Sequence, residues 1–278
     1  MNKIEKFEKY PVLDYGYVQY LDHMGSDEDI VDAARISYDR RGSIKDRALI
    51  RYLLRHQHTS PFEMCELKLE LKMPIFVARQ WVRHRTASMN EVSARYTILP
   101  EEMYMPEAFK GQSTTNKQGT SIVDFGETFK DSAAFVMEDA FNTYEDMHTA
   151  GIAREQARIV LPLSTYTKMV WKIDLKNLLH LIRLRADSHA QYEIRVYADV
   201  IWNIVSRIWP LTAEAAYDYM LESYNVSRYE RVALQQILLE VPDDKIYDIR
   251  ARLVDEYMTE REWNEFVLSF GKDHLKYE

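Results

Sequence analysis

A single cysteine among 278 residues excludes an internal disulfide framework. That cysteine opens the run Cys65-Glu66-Leu67-Lys68-Leu69-Glu70-Leu71-Lys72-Met73, where apolar and charged residues alternate strictly. A period of two predicts a half-buried strand, with the thiol on its apolar face among leucines. Burial raises a thiol's pKa and leaves it inert, so the chain's chemistry is expected to do without a cysteine nucleophile. Positive charge is also short. Lys and Arg number 36 against 44 Asp and Glu, and the formal net charge of −8 argues against a general nucleic-acid binder. No apolar run is long enough to span a bilayer, and the opening MNKIEKFEKYPVLDYGY holds no apolar core of signal-peptide length. A cytoplasmic protein without a membrane partner is the expectation. No internal repeat or low-complexity tract occurs. With 29% charged and 46% apolar residues, the composition is that of an ordinary globular protein, as one large domain or one domain plus an appendage.

What is present centres on Pro74 to Tyr96, PIFVARQWVRHRTASMNEVSARY. Pro74 suits a first helical position, and Ile75, Phe76, Ala78, Trp81 and Val82 form an apolar side. Gln80 and Arg83 share a face, as do Arg79 and Arg83. The cations Arg83, His84 and Arg85 follow in a row. An extended continuation would place Glu91, Ser93 and Arg95 on one side and Val92, Ala94 and Tyr96 on the other. Cations at a helix C-terminus complement the macrodipole by ~0.3–1 kcal/mol each, which needs no ligand. In an acidic body the same cluster is also a local pocket suited to a small anion. Spacing alone leaves both readings open.

The remaining elements read in order as follows. A short strand is expected around Tyr17–Leu21, then a helix from an acidic start at Ser26 to an end at Ser37. A second helix, Ile44 to His56, leads to the turn His56-Gln57-His58-Thr59-Ser60-Pro61-Phe62-Glu63. Two histidines two apart make a metal half-site or a turn beside a ligand cleft; no cysteine or carboxylate company supports metal. Residues 100–124 read as loop, with Gly111–Gly119 a candidate lid. A long helix from about Gly126 to Thr149 stops at Gly151. Arg154 and Arg158 then share a helix face, either solvated or facing a ligand. A strand over Ser164–Ile173 precedes a helix from Leu178 to Gln191, which pairs His180 with Leu184 and Arg185 with His189 at helical spacing. Helices follow at Tyr192–Ile208 and Thr212–Met220. The last part is also helical: Ile246, Ile249, Leu253 and Tyr257 form one stripe. A capping box, Thr259 with Glu262, precedes Trp263, Phe266, Val267 and Phe270, and Gly271 closes that helix.

The full string Arg83-His84-Arg85-Thr86-Ala87-Ser88-Met89-Asn90-Glu91-Val92-Ser93-Ala94-Arg95 resembles the signature of the flavin-dependent thymidylate synthases, RHRxxSxNExSxR, with every fixed position filled. Leu184-Arg185-Ala186-Asp187-Ser188-His189-Ala190-Gln191 resembles a second family signature, and Arg154 to Arg158 a REQAR-like segment ahead of Leu161-Pro162. The resemblance covers roughly 1–221 and leaves 222–278 as a helical C-terminal extension. It implies an α+β fold with a central antiparallel twisted sheet flanked by helices. It also implies FAD-dependent reductive methylation of dUMP to dTMP, with methylenetetrahydrofolate as carbon donor, NADPH as reductant and no metal. A homotetramer that shares its active sites between subunits and binds small molecules, not nucleic acid, goes with it.

Carried over position by position, Arg185 is the substrate-activating residue. Gln80, Arg83, Glu91, Val92, Ser93, Ala94, Arg95, Arg158 and Arg185 bind dUMP. FAD falls to Ser37, Ser60, Glu63, Arg83, His84, Arg85, Glu91, Asp174, Lys176, His180, Leu184 and His189, while His58 and Tyr96 line the folate cleft. Two departures stand out. Asp174-Leu175-Lys176 occupies the place of a frequent Asn-x-Arg, and His180 that of an Asn in some members. Lysine keeps the charge but loses the bidentate fork, and an ionised aspartate only accepts. Ser93 reads as a phosphate ligand or a nucleophile. A non-catalytic nucleotide sensor and an RNA-binding protein are the rival classes.

Overall fold

The strict alternation after Cys65 folds as the middle strand of a five-stranded sheet. The computed structural model describes residues 4–36, 46–114, 119–125, 128–254 and 256–270. Ser37 lies outside the described residues, as do Ile44, Gly126 and Gly271. The described residues belong to two compact units, Met1–Glu222 and Ser223–Glu278.

In the first unit the strands are β1 (Lys9–Val12), β2 (Gly16–Met24), β3 (Glu66–Pro74), β4 (Ala87–Glu91), β5 (Lys110–Gln112), β6 (Thr120–Asp124) and β7 (Tyr166–Asp174). The main sheet runs β1-β2-β3-β7-β4, and every neighbouring pair is antiparallel. On β3, Leu67, Leu69, Leu71 and Met73 are fully buried while Lys68 faces solvent. Met169, Trp171 and Ile173 do the same on β7. Each fully buried aliphatic side chain contributes roughly 1.5–3 kcal/mol, so the alternation sets which face the helices cover. Gly16 is required where β2 passes Tyr197: an added Cβ would sit 2.1 Å from the Tyr197 hydroxyl and 2.5 Å from the Val12 carbonyl.

The helices are α1 (Asp27–Ala34), α2 (Asp46–Arg55), α3 (Ile75–Trp81), α4 (Lys130–Thr149), α5 (Arg154–Ala157), α6 (Leu175–Arg185), α7 (Tyr192–Ile208) and α8 (Pro210–Ala216). Trp81 of α3 meets Trp171 of β7 at 5.4 Å and Tyr197 of α7 at 6.5 Å, edge to face. These contacts dock α3 and α7 on the buried face of the sheet. Sheet plus flanking helices make the fold α+β.

Several boundaries differ from the sequence reading. Pro74 closes β3 instead of opening α3. Its ψ of 145° is extended, and it pairs with Tyr166. The first helical N–H groups, of Ile75 and Phe76, are satisfied by the Thr165 and Leu163 carbonyls, so the strand neighbour replaces a cap. The stretch read as loop contains the β5–β6 hairpin, although residues 115–118 of the expected lid are not among those described. Helix α6 begins at Leu175, because the Asp174 carboxylate accepts from the Asn177 N–H at 2.9 Å and starts it early. It stops at Arg185, so His189 stands in a turn and not four residues up the same helix. Gly151, at a φ of +83°, follows the end of α4 as expected.

The second unit holds α9 (Arg228–Glu240), α10 (Asp243–Leu253) and α11 (Glu260–Ser269) around Ile246, Val254, Trp263 and Val267. The Thr259–Glu262 capping box is formed. The expected four-residue stripe is not: Ile246 is buried, but Ile249 and Leu253 are exposed and Tyr257 lies beyond the end of α10.

Candidate active site

The basic motif is distributed over three kinds of backbone. Helix α3 ends at Trp81, and the N–H groups of Arg83 and His84 close a tight turn onto the Gln80 and Trp81 carbonyls. The chain then becomes β4, whose partner β7 continues directly into α6. Past Glu91 the expected alternation fails. Val92 makes one more bond to the Lys168 carbonyl, and residues 93–97 form a turn in which Tyr96 and Thr97 N–H groups bond the Ser93 carbonyl. Ser93 Oγ accepts from the Arg95 N–H at 3.3 Å, a local hydroxyl turn that accounts for the break. Among the described residues no histidine is hydrogen-bonded to Ser93. Glu91, at the end of β4, accepts from Thr167 Oγ1 at 2.6 Å. Val92 is half-buried and Ala94 buried.

Two clusters of cations result, one at each end of β4. That strand spans about 13 Å between its first and last residues at ~3.3 Å per residue. At the near end, Arg185 is the last residue of α6, and its Nε donates to His84 Nε2 at 3.0 Å. An imidazole nitrogen that accepts carries no proton, so His84 is neutral with its hydrogen on Nδ1. Burial, reinforced by Arg185 and His180, pushes the His84 pKa down to about 4. The His180 ring lies edge-on at 6.5 Å. Burial also lowers Arg185 from its ordinary value. Among the described residues no carboxylate pairs with Arg185, which leaves a half-buried guanidinium uncompensated.

Neighbouring groups on the same edge are already engaged. Both Asp174 oxygens accept from Asn177, through its N–H and its side-chain amide. Lys176 pairs with Glu63 at 3.3 Å. His189 bonds Asp187 through both its backbone N–H and Nδ1. Leu184 is 46% exposed, one turn along α6 from His180. Ser60 opens a short helical turn, and His58 stands near it with its ring 5.7 Å from Tyr52. Among the described residues no group of three or more His, Cys, Asp or Glu side chains is placed to hold a metal. Cys65 is fully buried, and burial pushes its thiol up to about 12.

At the far end, Arg95 reaches Glu155 through Nε and Nη2, both at 3.2 Å. Arg154 donates to the Tyr96 carbonyl at 3.0 Å. With His148 and Ile152 these residues line an open cleft of about 520 Å³. His148 Nε2 is buried and has no hydrogen-bond partner among the described residues. The helical face expected to join Arg154 to Arg158 is short, because α5 ends at Ala157; Arg158 follows it, exposed. Gln80 meets Gln191, a contact no local spacing announces because 111 residues separate the two.

Residues 19–211 match the family model described as thymidylate synthase complementing protein. A protein of Wolbachia pipientis wMel named flavin-dependent thymidylate synthase is 50% identical over 229 residues, spanning 80% of this chain and 81% of that one. This chain belongs to the flavin-dependent thymidylate synthase family. A family relative of the same name from Rickettsia conorii is 45% identical over 287 residues, spanning 95% of this chain and 94% of its own. Its span takes in the C-terminal unit as well. Among solved structures, a UMP/dUMP methylase PolB from Streptomyces cacaoi, bound with 5-Br dUMP, superposes with a TM-score of 0.69 at 33% identity. That likeness covers 77% of this chain and all of the other.

Proposed function

We propose that this family member methylates dUMP to dTMP, taking the carbon from methylenetetrahydrofolate and the reducing equivalents from NADPH through FAD. The observation that carries the reading is the Arg185 guanidinium, half-buried, unpaired by any described carboxylate and held on a neutral imidazole. C5 of uracil is a weak carbon nucleophile. It is strengthened when negative charge on the O2/N3/O4 system is stabilised. A preorganised cation in a water-poor site does that without a thiol, and loss of such a donor costs ~10²–10³ in turnover. Cys65, buried and with its pKa raised, is unsuited to the alternative route of thiolate addition.

The near-end cluster fits a flavin. Arg185, with no carboxylate partner among the described residues, supplies charge, Arg83 and Arg85 are exposed cations suited to a pyrophosphate, and Leu184 offers an exposed apolar contact for a ring. His84, His180 and His189 add polar edges, and Ser60, Glu63, Lys176, Glu91 and Ser37 complete the proposed set. Asp174 is the weakest member, since Asn177 takes both its oxygens. Bound flavin supplies the redox and one-carbon chemistry; the protein supplies orientation and field. Arg95 and Arg158 hold the nucleotide phosphate, with Gln80, Arg83, Glu91, Val92, Ser93 and Ala94 around the rest. His58 and Tyr96 border the folate. As the family resemblance implies, a complete site assembles from several copies of the chain, as a homotetramer. A cytoplasmic location accords with this metabolism.

An absorbance scan of purified protein, followed by NADPH titration with and without dUMP, tests the reading. A yellow protein bleached faster in the presence of dUMP is expected. A colourless protein that binds dUMP would instead indicate a nucleotide sensor. Steeply salt-dependent RNA binding would indicate the second rival.

A further inference from the structure

A chain of four side chains runs from the protein interior to Gln80. Tyr104 is 8% exposed, held by its N–H on the Ser164 carbonyl and by its ring against Phe76 at 5.9 Å. Its hydroxyl donates to Glu193 Oε1 at 3.2 Å. Glu193 Oε2 accepts from Gln191 Nε2 at 2.8 Å, and Gln191 Oε1 accepts from Gln80 Nε2 at 2.6 Å. Gln191 immediately precedes α7, Glu193 lies in that helix's first turn, and Gln80 lies in the last turn of α3.

The direction of this chain is forced at one point. The two ends of a glutamine amide have nearly the same shape, so partners decide which way it points. An ionised carboxylate has no hydrogen to give, so only the NH2 of Gln191 can face Glu193. Burial, reinforced by the Glu193 carboxylate, raises the Tyr104 phenol, which therefore keeps its proton and donates. The Gln191 carbonyl is then turned to Gln80 and can be met only by the Gln80 NH2. Gln80 then keeps its carbonyl oxygen, an acceptor, and the second hydrogen of its NH2 for other partners.

We propose that Gln191 and Glu193 are positioning residues, setting Gln80 to present its carbonyl oxygen to the 3′-hydroxyl of the nucleotide sugar. The proposal rests on Gln80 as a dUMP ligand. An ionised phosphate carries no donor for that oxygen, and the pyrimidine edge is assigned to Arg185. Of the two donors dUMP carries, the uracil N3–H and the sugar 3′-hydroxyl, the hydroxyl is the one proposed for that oxygen.

The test measures dissociation constants of dUMP and of 2′,3′-dideoxyuridine 5′-monophosphate, which lacks that hydroxyl, on flavin-loaded protein. One net hydrogen bond predicts about a tenfold preference for dUMP in the unaltered protein. Gln80→Leu should reduce this preference to less than about threefold. So should Gln191→Leu, which removes the acceptor, and Glu193→Gln, which frees Gln191 to turn round. Affinity for the dideoxy analogue, bound flavin and Tm should stay unchanged in Gln191→Leu, an exposed position. Loss of preference in Gln80→Leu alone would overturn the positioning role. Preference retained in Gln80→Leu, or absent from the unaltered protein, would overturn the role of Gln80 itself. Should Glu193→Gln fail to fold, Gln191→Leu decides.

Discussion

Arg185 and Arg95 are the same residue type under opposite conditions. Arg185 is half-buried, meets a neutral histidine, and has no carboxylate partner among the described residues. Arg95 is 52% exposed and shares its charge with a Glu155 that is 55% exposed. An exposed pair of that kind contributes at most ~1 kcal/mol and is weakened by salt. Glu155 is therefore readily exchanged for a phosphate, at little cost. A cation withdrawn from water with no counterion is a different device. Its field is undiluted, and it acts most strongly where charge develops during reaction. In the proposed enzyme the first arginine does chemistry and the second does capture.

Substitutions that break this contrast are ordered by the size of their effects. Arg185→Lys keeps the charge but loses the planar fork and the His84 contact. Turnover should fall by ~10²–10³ in steady-state assays with bound flavin retained, and a loss under threefold would remove Arg185 from the chemistry. Arg95→Ala, like Arg158→Ala, should weaken dUMP binding by about one to two decades, read by titration calorimetry, because each loses charge-assisted bonds of ~1.5–3 kcal/mol. Unchanged affinity in either variant would refute its assignment to the phosphate.

The next effect is on stability and follows from His84. Its folded pKa is lowered to about 4, below the ordinary value of 6.5, so the unfolded chain binds the proton first as pH falls. The stability that neutral His84 provides is thus present above 6.5 and lost between 6.5 and 4. Discounted for the ring's partial exposure, the loss is of order 2 kcal/mol. Denaturant midpoints over that window should fall less in His84→Gln than in the unaltered protein; parallel curves would contradict the assigned environment. The smallest effect concerns the thiol. Cys65→Ala should leave turnover within about twofold and cost on the order of 1 kcal/mol of stability from the lost buried sulfur. Inactive, well-folded Cys65→Ala would reopen the thiolate route.

Much of the frame was readable along the chain. The alternation from Cys65 to Met73 specifies β3, and the helix read at Tyr192–Ile208 forms as α7, with Ile194, Tyr197, Ala198, Ile201 and Val205 buried. Where reading failed, a non-local bond had replaced a local signal. Pro74 was claimed by β3 because Tyr166 lies opposite it, and the run after Glu91 bent because Ser93 bonds Arg95. The turn after Arg185 likewise removed His189 from the face that helical spacing assigns it.

By itself the sequence determined the family, through a contiguous signature, along with the inert cysteine, the acidic balance and the period of the central strand. These follow from residue type and from neighbours a few positions away. Tertiary structure alone decided which cations are neutralised. Arg95 finds its carboxylate 60 residues onward, and Arg185 finds an imidazole 101 residues back. A charge's strength depends on its partner and its distance from water, and both are set only when distant segments pack.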